Sequence, residues 1–479
     1  MKAKIFAVFM VIAMLFSAFG FDNARAGAYT TQFTTSVTYM NVGTATTTTL
    51  KLYFYATPTD VAPTSYTMAN AAVNAAGSIF IGGVDDLIVA DGFQGSAYME
   101  SDQMMQVTLV QLPQASTTVK NRALSNGFIA GGPTALIATV LKNTFGAYTI
   151  FSVQNADTVS NNVAIKFYNT SAALAHTINT SIAPGAAFYV DTGLIAELPV
   201  GFNGSAVIEA KRADTSNGSI VASAMELDEP GIGLKAFEGV SQGAQLLYMS
   251  SALCNVFGGT NTSYAVQNTS LTTPTDVTVT FTDSLGNDYV SATKTIGAGA
   301  KASFVACDTM PQGTYGAAIV ESTATDVVAI GKAYGAGLTT AFLGVESGAE
   351  QMGLPYVRYA TDANYLAGLG QRTFISVQNV GRPLVETEEV DVLFYDNTGT
   401  LAGTYTYVVP AGGLATGAKF SCSAASAGLL EFGIYGSVYG GAAIIVGPTG
   451  TELAAIGRVS TQTSPGVYVS EDYNSQPIR

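Results

Sequence analysis

The sequence predicts an all-β protein: four tandem immunoglobulin-like β-sandwich domains in an extended rod. Three observations predict it. A short motif recurs as VTYMN (37–41), FSVQN (151–155), YAVQN (264–268) and ISVQN (375–379). Its terminal residues Asn41, Asn155, Asn268 and Asn379 follow one another at intervals of about 110 residues, the size of one small domain. Around each motif apolar and polar residues alternate with a period of two, the signature of a half-buried strand.

The first 26 residues stand apart from this pattern. Lys2 and Lys4 precede an apolar run from Ile5 to Phe19, and Ala24-Arg25-Ala26 is an A-x-A cleavage pattern. The segment reads as an export leader, and the run is short for a membrane span. The mature chain is expected to begin at Gly27, to carry no membrane span, and to work outside the cell or on its surface.

Within each repeat the elements follow in a fixed order. The motif strand places Tyr39/Val37, Val153/Phe151, Val266/Tyr264 and Val377/Ile375 on one face. A strand centred on Phe54, Phe167, Phe281 and Phe394 comes about a dozen residues later. Next are Pro/Gly-rich turns, as in APGAAF (183–188), GAGAKASF (297–304) and VPAGG (409–413). After them come glycine-led strands: GSAYMES (95–101), GSAVIEA (204–210), GAAIVES (316–322) and GAAIIV (441–446). A last strand lies in SIVASAMEL (219–227), VVAIGKA (327–333) and LAAIGRV (453–459). Repeat 2 counts as strands near 135–142, 147–155, 162–169, 174–180, 184–191, 203–210 and 219–227, which fits a seven-stranded immunoglobulin-like sandwich. No segment has helical periodicity, although TMANAAVNAAG (67–77) could form a turn or two.

The stretches AFEGVSQGAQLLYM (236–249) and AFLGVESGAEQMGLPYV (341–357) match and read as fixed linkers, hence the rod. The expected boundaries are a leader at 1–26 and domains at 27–122, 123–235, 236–340 and 341–460. A tail follows at 461–479.

VQN, GFNGSAV (201–207) and AFxGVxxGA together resemble tandem immunoglobulin-like β-sandwich modules of exported bacterial surface proteins. The resemblance spans nearly the whole mature chain and is weakest in repeat 1, where Met40 replaces the glutamine. It implies a sandwich fold, export and surface location. It brings no catalytic residues.

Composition narrows the partners. The formal net charge is −14, from 20 basic and 34 acidic residues. Sparse Lys and Arg argue against nucleic acid and anionic lipid. Cys254 and Cys307 fit either an intradomain bridge in an oxidising compartment or two buried thiols. Cys422 is left without a partner.

Chemical motifs resolve into plainer readings. GVSQG (239–243) matches the letters of a nucleophile elbow, but the single histidine, His176, precedes it and the parallel stretch has Glu346 in place of Ser241. GAGAKA (297–302) recurs as a turn between strands, not as a phosphate cradle. The acids of VDD (84–86) with Asp91, and of ETEE (386–389), lack the spacing of a calcium loop. The sequons at Asn169, Asn179, Asn203, Asn217, Asn261 and Asn268 matter only in a host that glycosylates. The recurring asparagine is expected to satisfy backbone groups at a turn. No catalytic set, metal site or cofactor site is assigned, and the chain is not expected to be an enzyme.

Two irregularities concern assembly. Repeats 2 to 4 have a leading strand before the motif, in ALIATVLK (135–142), LLYMSSALC (246–254) and LPYVRYAT (354–361). Cleavage after Ala26 leaves repeat 1 too little chain for one. SPGVYVSEDYN (464–474) alternates like a strand with no further domain to serve. The sequence therefore suggests a secreted structural subunit that assembles head-to-tail with itself, with Val467, Tyr468 and Val469 as a donor strand completing repeat 1 of a neighbour. The alternative is an adhesin or carbohydrate-binding protein whose contact face is Tyr405 and Tyr407, or Tyr435 and Tyr439, binding surface glycans.

Overall fold

The computed structural model describes residues 31–81, 89, 93–114, 121–228, 233–361, 370–436, 438–464 and 467–478. The expected leader and the VDD acids lie outside them. The chain is all-β and every pairing between named strands is antiparallel. No helix among the described residues is long and apolar enough to cross a membrane.

Repeat 2 shows the plan. Its strands are Thr134–Thr144, Ala147–Asn155, Asn161–Asn169, Leu174–Ile182, Ala187–Asp191, Phe202–Lys211, Ile220–Asp228 and Leu234–Glu238. They form one hydrogen-bonded sheet in the order four, three, six, one, two, seven, eight, with five beside two. The pairing of one with two is confined to the end next to their turn, and four-three-six-one and five-two-seven-eight make the two layers. Phe145 (φ 55°) and Gly146 (φ 76°) make the tight turn between the first two strands. That turn carries the chain from one layer to the other. The second strand alternates buried and half-buried positions along its length, because only one face meets the core. The first strand is buried from Ala135 to Lys142, on both faces.

The same orders recur. In repeat 3 the layers are built on Leu246–Cys254, Thr275–Asp283 and Thr314–Ser322, and on Asn261–Asn268, Lys301–Val305, Val327–Gly335 and Leu338–Leu343. In repeat 4 they are built on Gln351–Leu354, Glu389–Asp396, Leu401–Val408 and Gly441–Val446, and on Gln371–Asn379, Lys419–Ser423, Leu453–Ser464 and Val467–Asn474. Repeat 1 has Leu50–Tyr55, Thr64–Thr67 and Ser96–Ser101 in one layer. Its other layer holds Gln32–Asn41, Ala76–Phe80, Met105–Gln114 and Ala123–Asn126.

This order departs from the expected immunoglobulin pattern, which groups strands A, B, E and D against C, F and G. Here the first strand joins the sixth, and the seventh lies beside the second. The stretches read as linkers are strands as well. Leu234–Glu238 pairs with Ile220–Asp228, and Leu338–Leu343 pairs with Val327–Gly335, so each is an eighth strand. Its aromatic residue drops into its own core. Phe342 lies over Gly331 and Tyr473 over Gly457, places where a side chain on the glycine would collide with the ring. Boundaries drawn at 235/236, 340/341 and 460/461 therefore cut through strands.

The C-terminal segment is likewise in use. Val467–Asn474 pairs with Leu453–Ser464, with Thr461 opposite Val469 and Gln462 opposite Tyr468, as the eighth strand of repeat 4. It is not a spare strand in this structure.

Nor is the chain an extended rod. The four eighth strands pack in a circuit: 123–126 on 234–238, 234–238 on 338–343, 338–343 on 467–474, and 467–474 back on 123–126. Apolar clusters cross the same junctions. Val328 and Ile330 pack with the core of repeat 2, Ile456 with that of repeat 3, and Val110 and Leu124 with that of repeat 4. The contact of Val110 and Leu124 with repeat 4 joins the two ends of the array; a rod would leave that face in water, and closing the circuit removes it.

Cys254 and Cys307 are joined in a disulfide within repeat 3. Cys422 is buried and free, and burial pushes its thiol up to about 12. TMANAAVNAAG forms no helix; it contains a turn at Val73–Asn74, with Asn74 at φ 61°.

Candidate assembly site at the seams between repeats

The motif asparagine closes its own repeat. Asn155 Nδ2 donates to the carbonyls of Val159 and Ile182, both at 2.8 Å, and Asn155 Oδ1 accepts from the Asp157 amide at 2.8 Å. Asn41, Asn268 and Asn379 bind in the same way, to Ala45 and Ala71, Thr273 and Ile296, and Arg382 and Leu414. Each is fully buried at a strand end, where these carbonyls would otherwise lack partners.

The glutamine beside it does something the sequence reading missed. It faces away from its own core and reaches the preceding repeat. Gln154 Nε2 donates to Ala97 O (3.2 Å) and Gly185 O (2.9 Å). Gln267 donates to Ala206 O (3.2 Å), and Gln378 to Ala318 O (3.4 Å) and Gly417 O (2.8 Å). Ala97, Ala206 and Ala318 hold the same place in the sixth strands of repeats 1, 2 and 3. In repeat 1 the position is Met40, which packs against Ala442 and Ile444 of repeat 4. An amide joins three seams and a thioether side chain the fourth. The signal was the recurrence of Gln at a position whose neighbours alternate inward, with nothing to say what it touched.

The Pro/Gly turns complete these seams. Gly185 (φ 78°), Gly299 (φ 70°) and Gly417 (φ 87°) are left-handed, where a side chain is strained. A Cβ on Gly185 would overlap the Tyr55 ring, and one on Gly417 would press on Ile319. Ser96 Oγ donates to Gly185 O at 2.8 Å, and Ser205 Oγ to Gly299 O at 2.6 Å.

Buried charges sit deeper. Lys332 Nζ lies 2.6 Å from Glu226 and 2.9 Å from Thr139 Oγ1, both in repeat 2. Lys235 binds the other oxygen of Glu226 at 2.8 Å. Burial opposes ionisation of Glu226, yet Lys235 and Lys332 outweigh it and hold the carboxyl down to about 2. Lys301, buried nearby with Thr139 Oγ1 at 3.2 Å, is pushed down to about 7 by burial and by Lys332. At the next seam Arg458 binds Asp472 within repeat 4, and Thr340 of repeat 3 donates to the same carboxylate at 2.7 Å. Burial raises Glu471 above the usual carboxyl range despite Arg122 beside it.

The place of the first strand in repeat 1 has no counterpart among the described residues. In repeats 2, 3 and 4 that strand flanks the sixth: Ile137 pairs with Ala206, Met249 with Ala318 and Leu354 with Ala443. Those alanines are buried. Ala97 is exposed.

Other sequence candidates fall elsewhere. GVSQG follows the eighth strand of repeat 2, and GAGAKA is the seam turn around Gly299. Glu388 of ETEE pairs with Arg382 at 2.6 Å on the surface. Tyr407 stacks on Phe420 with ring centres 4.0 Å apart, and Tyr405 also packs on the core, so neither forms an open contact face. Tyr439 is exposed, under the Arg358 guanidinium.

No known family profile matches the chain, and no curated protein does. Among solved structures, the Thermotoga maritima protein 1070 is similar over 23% of this chain and 96% of its own, at 13% identity and a TM-score of 0.20. A tetra-tandem repeat from the extending region of a large adhesion protein is similar over 93% of this chain and 95% of its own, at 14% identity and a TM-score of 0.13.

Proposed function

We propose that the protein is an exported structural component of the cell surface. It is built of four tandem β-sandwich domains and assembles with further copies of itself into an extracellular filament or surface layer. One observation carries the reading. The residues that recur along the chain, the glutamines and asparagines of the motif and the turn glycines, close turns and join one repeat to the next. The disulfide fits the oxidising compartment to which the leader pattern points.

Self-assembly through Val467, Tyr468 and Val469 would require this paired strand to leave Leu453–Ser464, an exchange of the domain-swapping kind. Negative-stain microscopy and light scattering of the purified mature protein over a range of concentrations test the reading. Growth of ordered polymers supports it; a monomer at every concentration sinks it.

A second reading, glycan-binding adhesin, is favoured by a different pair of tyrosines. Tyr53 and Tyr98 stack with ring centres 4.6 Å apart on an outer face of repeat 1, and Tyr53 donates to Glu100 at 2.6 Å. Stacked rings beside a carboxylate suit a sugar face. Glycan-array binding lost in Tyr98→Ala would support this alternative.

A further inference from the structure

We infer that the open edge of Ser96–Ser101 in repeat 1 is a receptor slot for an extended, mainly apolar strand supplied by another polypeptide. The inference rests on the assembly reading and names the chemistry of the partner.

The three occupied slots show what such a strand looks like. Thr134–Thr144 is inserted between the sixth strand of repeat 2 and the seventh strand of repeat 3, and is buried from Ala135 to Lys142. Leu246–Cys254 is buried from Leu247 to its end in the corresponding place. Both walls depend on it. On one wall Ala206, Ala318 and Ala443 are at most 1% exposed. On the other, Val328 and Ile330 of repeat 3, and Ala454 and Ile456 of repeat 4, are buried.

Repeat 1 has corresponding walls, with no strand between them among the described residues. Ala97 and Tyr98 are exposed along Ser96–Ser101. Across from them Val221, Ser223 and Met225 of repeat 2, the counterparts of Val328, Ile330 and Lys332, are only half-buried. The seam itself is intact, since Ser96 and Gln154 make the bonds seen at the other junctions. Met225 stands where repeats 3 and 4 have the cations Lys332 and Arg458, and packs against the cluster of Ala123, Leu227, Leu234 and Ala236. A sheet edge exposed at Ala97 and facing half-buried positions of the next repeat is a template for one more strand.

No strand among the described residues pairs with this edge of Ser96–Ser101.

A synthetic, fluorescently labelled peptide of residues 134–144 tests this on the purified mature protein. Saturable one-to-one binding is expected, with slowed amide exchange across 96–101 and at least tenfold weaker binding by Ala97→Arg. A second variant, Ser223→Arg, narrows the slot from the other wall and should weaken binding comparably. Ala97 and Ser223 are not core positions, so circular dichroism should show both variants folded. Absence of binding, equal binding by a scrambled peptide, or equal binding by both variants overturns the inference. If polymers form yet the peptide does not bind, the slot falls and the assembly reading stands. If the peptide binds and polymers never form, the reverse holds.

Discussion

The Arg122 guanidinium lies 2.6 Å from the Glu471 carboxylate, joining the start of one eighth strand to another 349 residues away. Glu471 is buried and Arg122 half-buried, and Arg122 also donates to Thr461 Oγ1 at 2.6 Å. This pair ties repeat 1 to repeat 4.

Arg122→Met should destabilise the protein by about 3–5 kcal/mol, because it leaves a buried carboxylate without its partner. Urea unfolding measures the loss. The double variant Arg122→Met/Glu471→Gln should recover most of it.

The two motif side chains should separate by magnitude. Gln267→Met, which installs the residue type native to repeat 1, should cost about 1 kcal/mol. Asn268→Ala strips partners from the Ile296 and Thr273 carbonyls and the Ser270 amide, and at roughly 1 kcal/mol each should cost about 3 kcal/mol. Equal costs from the two variants in denaturant titrations would contradict these roles.

Glu226 gives an acid limit. Its folded value of about 2 lies below the ordinary 4.5, so its contribution is complete above pH 4.5 and is lost as pH falls toward 2. A shift of this size is worth about 3 kcal/mol. Glu226→Gln should lower the melting temperature at pH 7 and flatten its fall between pH 4.5 and 2.

Lys301 acts at the other end of the scale. Its folded value of about 7 lies below the ordinary 10.5, so between these values the unfolded chain binds the extra proton and stability rises with pH. Lys301→Met should raise the melting temperature at pH 6 and raise it less at pH 10.

Reduction should act on repeat 3. The Cys254–Cys307 bridge spans 53 residues, and in the chain-entropy account such a loop is worth about 4 kcal/mol. Cys254→Ser should lower stability by a comparable amount and abolish the effect of dithiothreitol on the melting curve.

Much of the strand pattern was legible because alternation and turn residues are local. All seven strands expected in repeat 2 appear within a few residues of their places. The eighth was hidden by its shortness and by its resemblance to a linker: Leu234–Glu238 is mostly buried and carries no alternation to read. Layer membership was also hidden, since the turn at Phe145–Gly146 looks like any hairpin yet moves the chain between layers. The asparagine's role followed from its chemistry, because Asn caps turns wherever it sits. The glutamine's did not, because its acceptors, Ala97, Ala206 and Ala318, lie in another repeat. Circuit closure depends on contacts such as Arg122 with Glu471, which no local pattern encodes.

A linear array can gain or lose units by gene duplication, because its last module presents the same face as every other. Closing head on tail removes that freedom. A fifth module would find no vacant partner, and loss of one would bare two apolar faces at once. The rotation from one module to the next therefore fixes the copy number, and variants with three or five modules should be insoluble rather than merely shorter or longer.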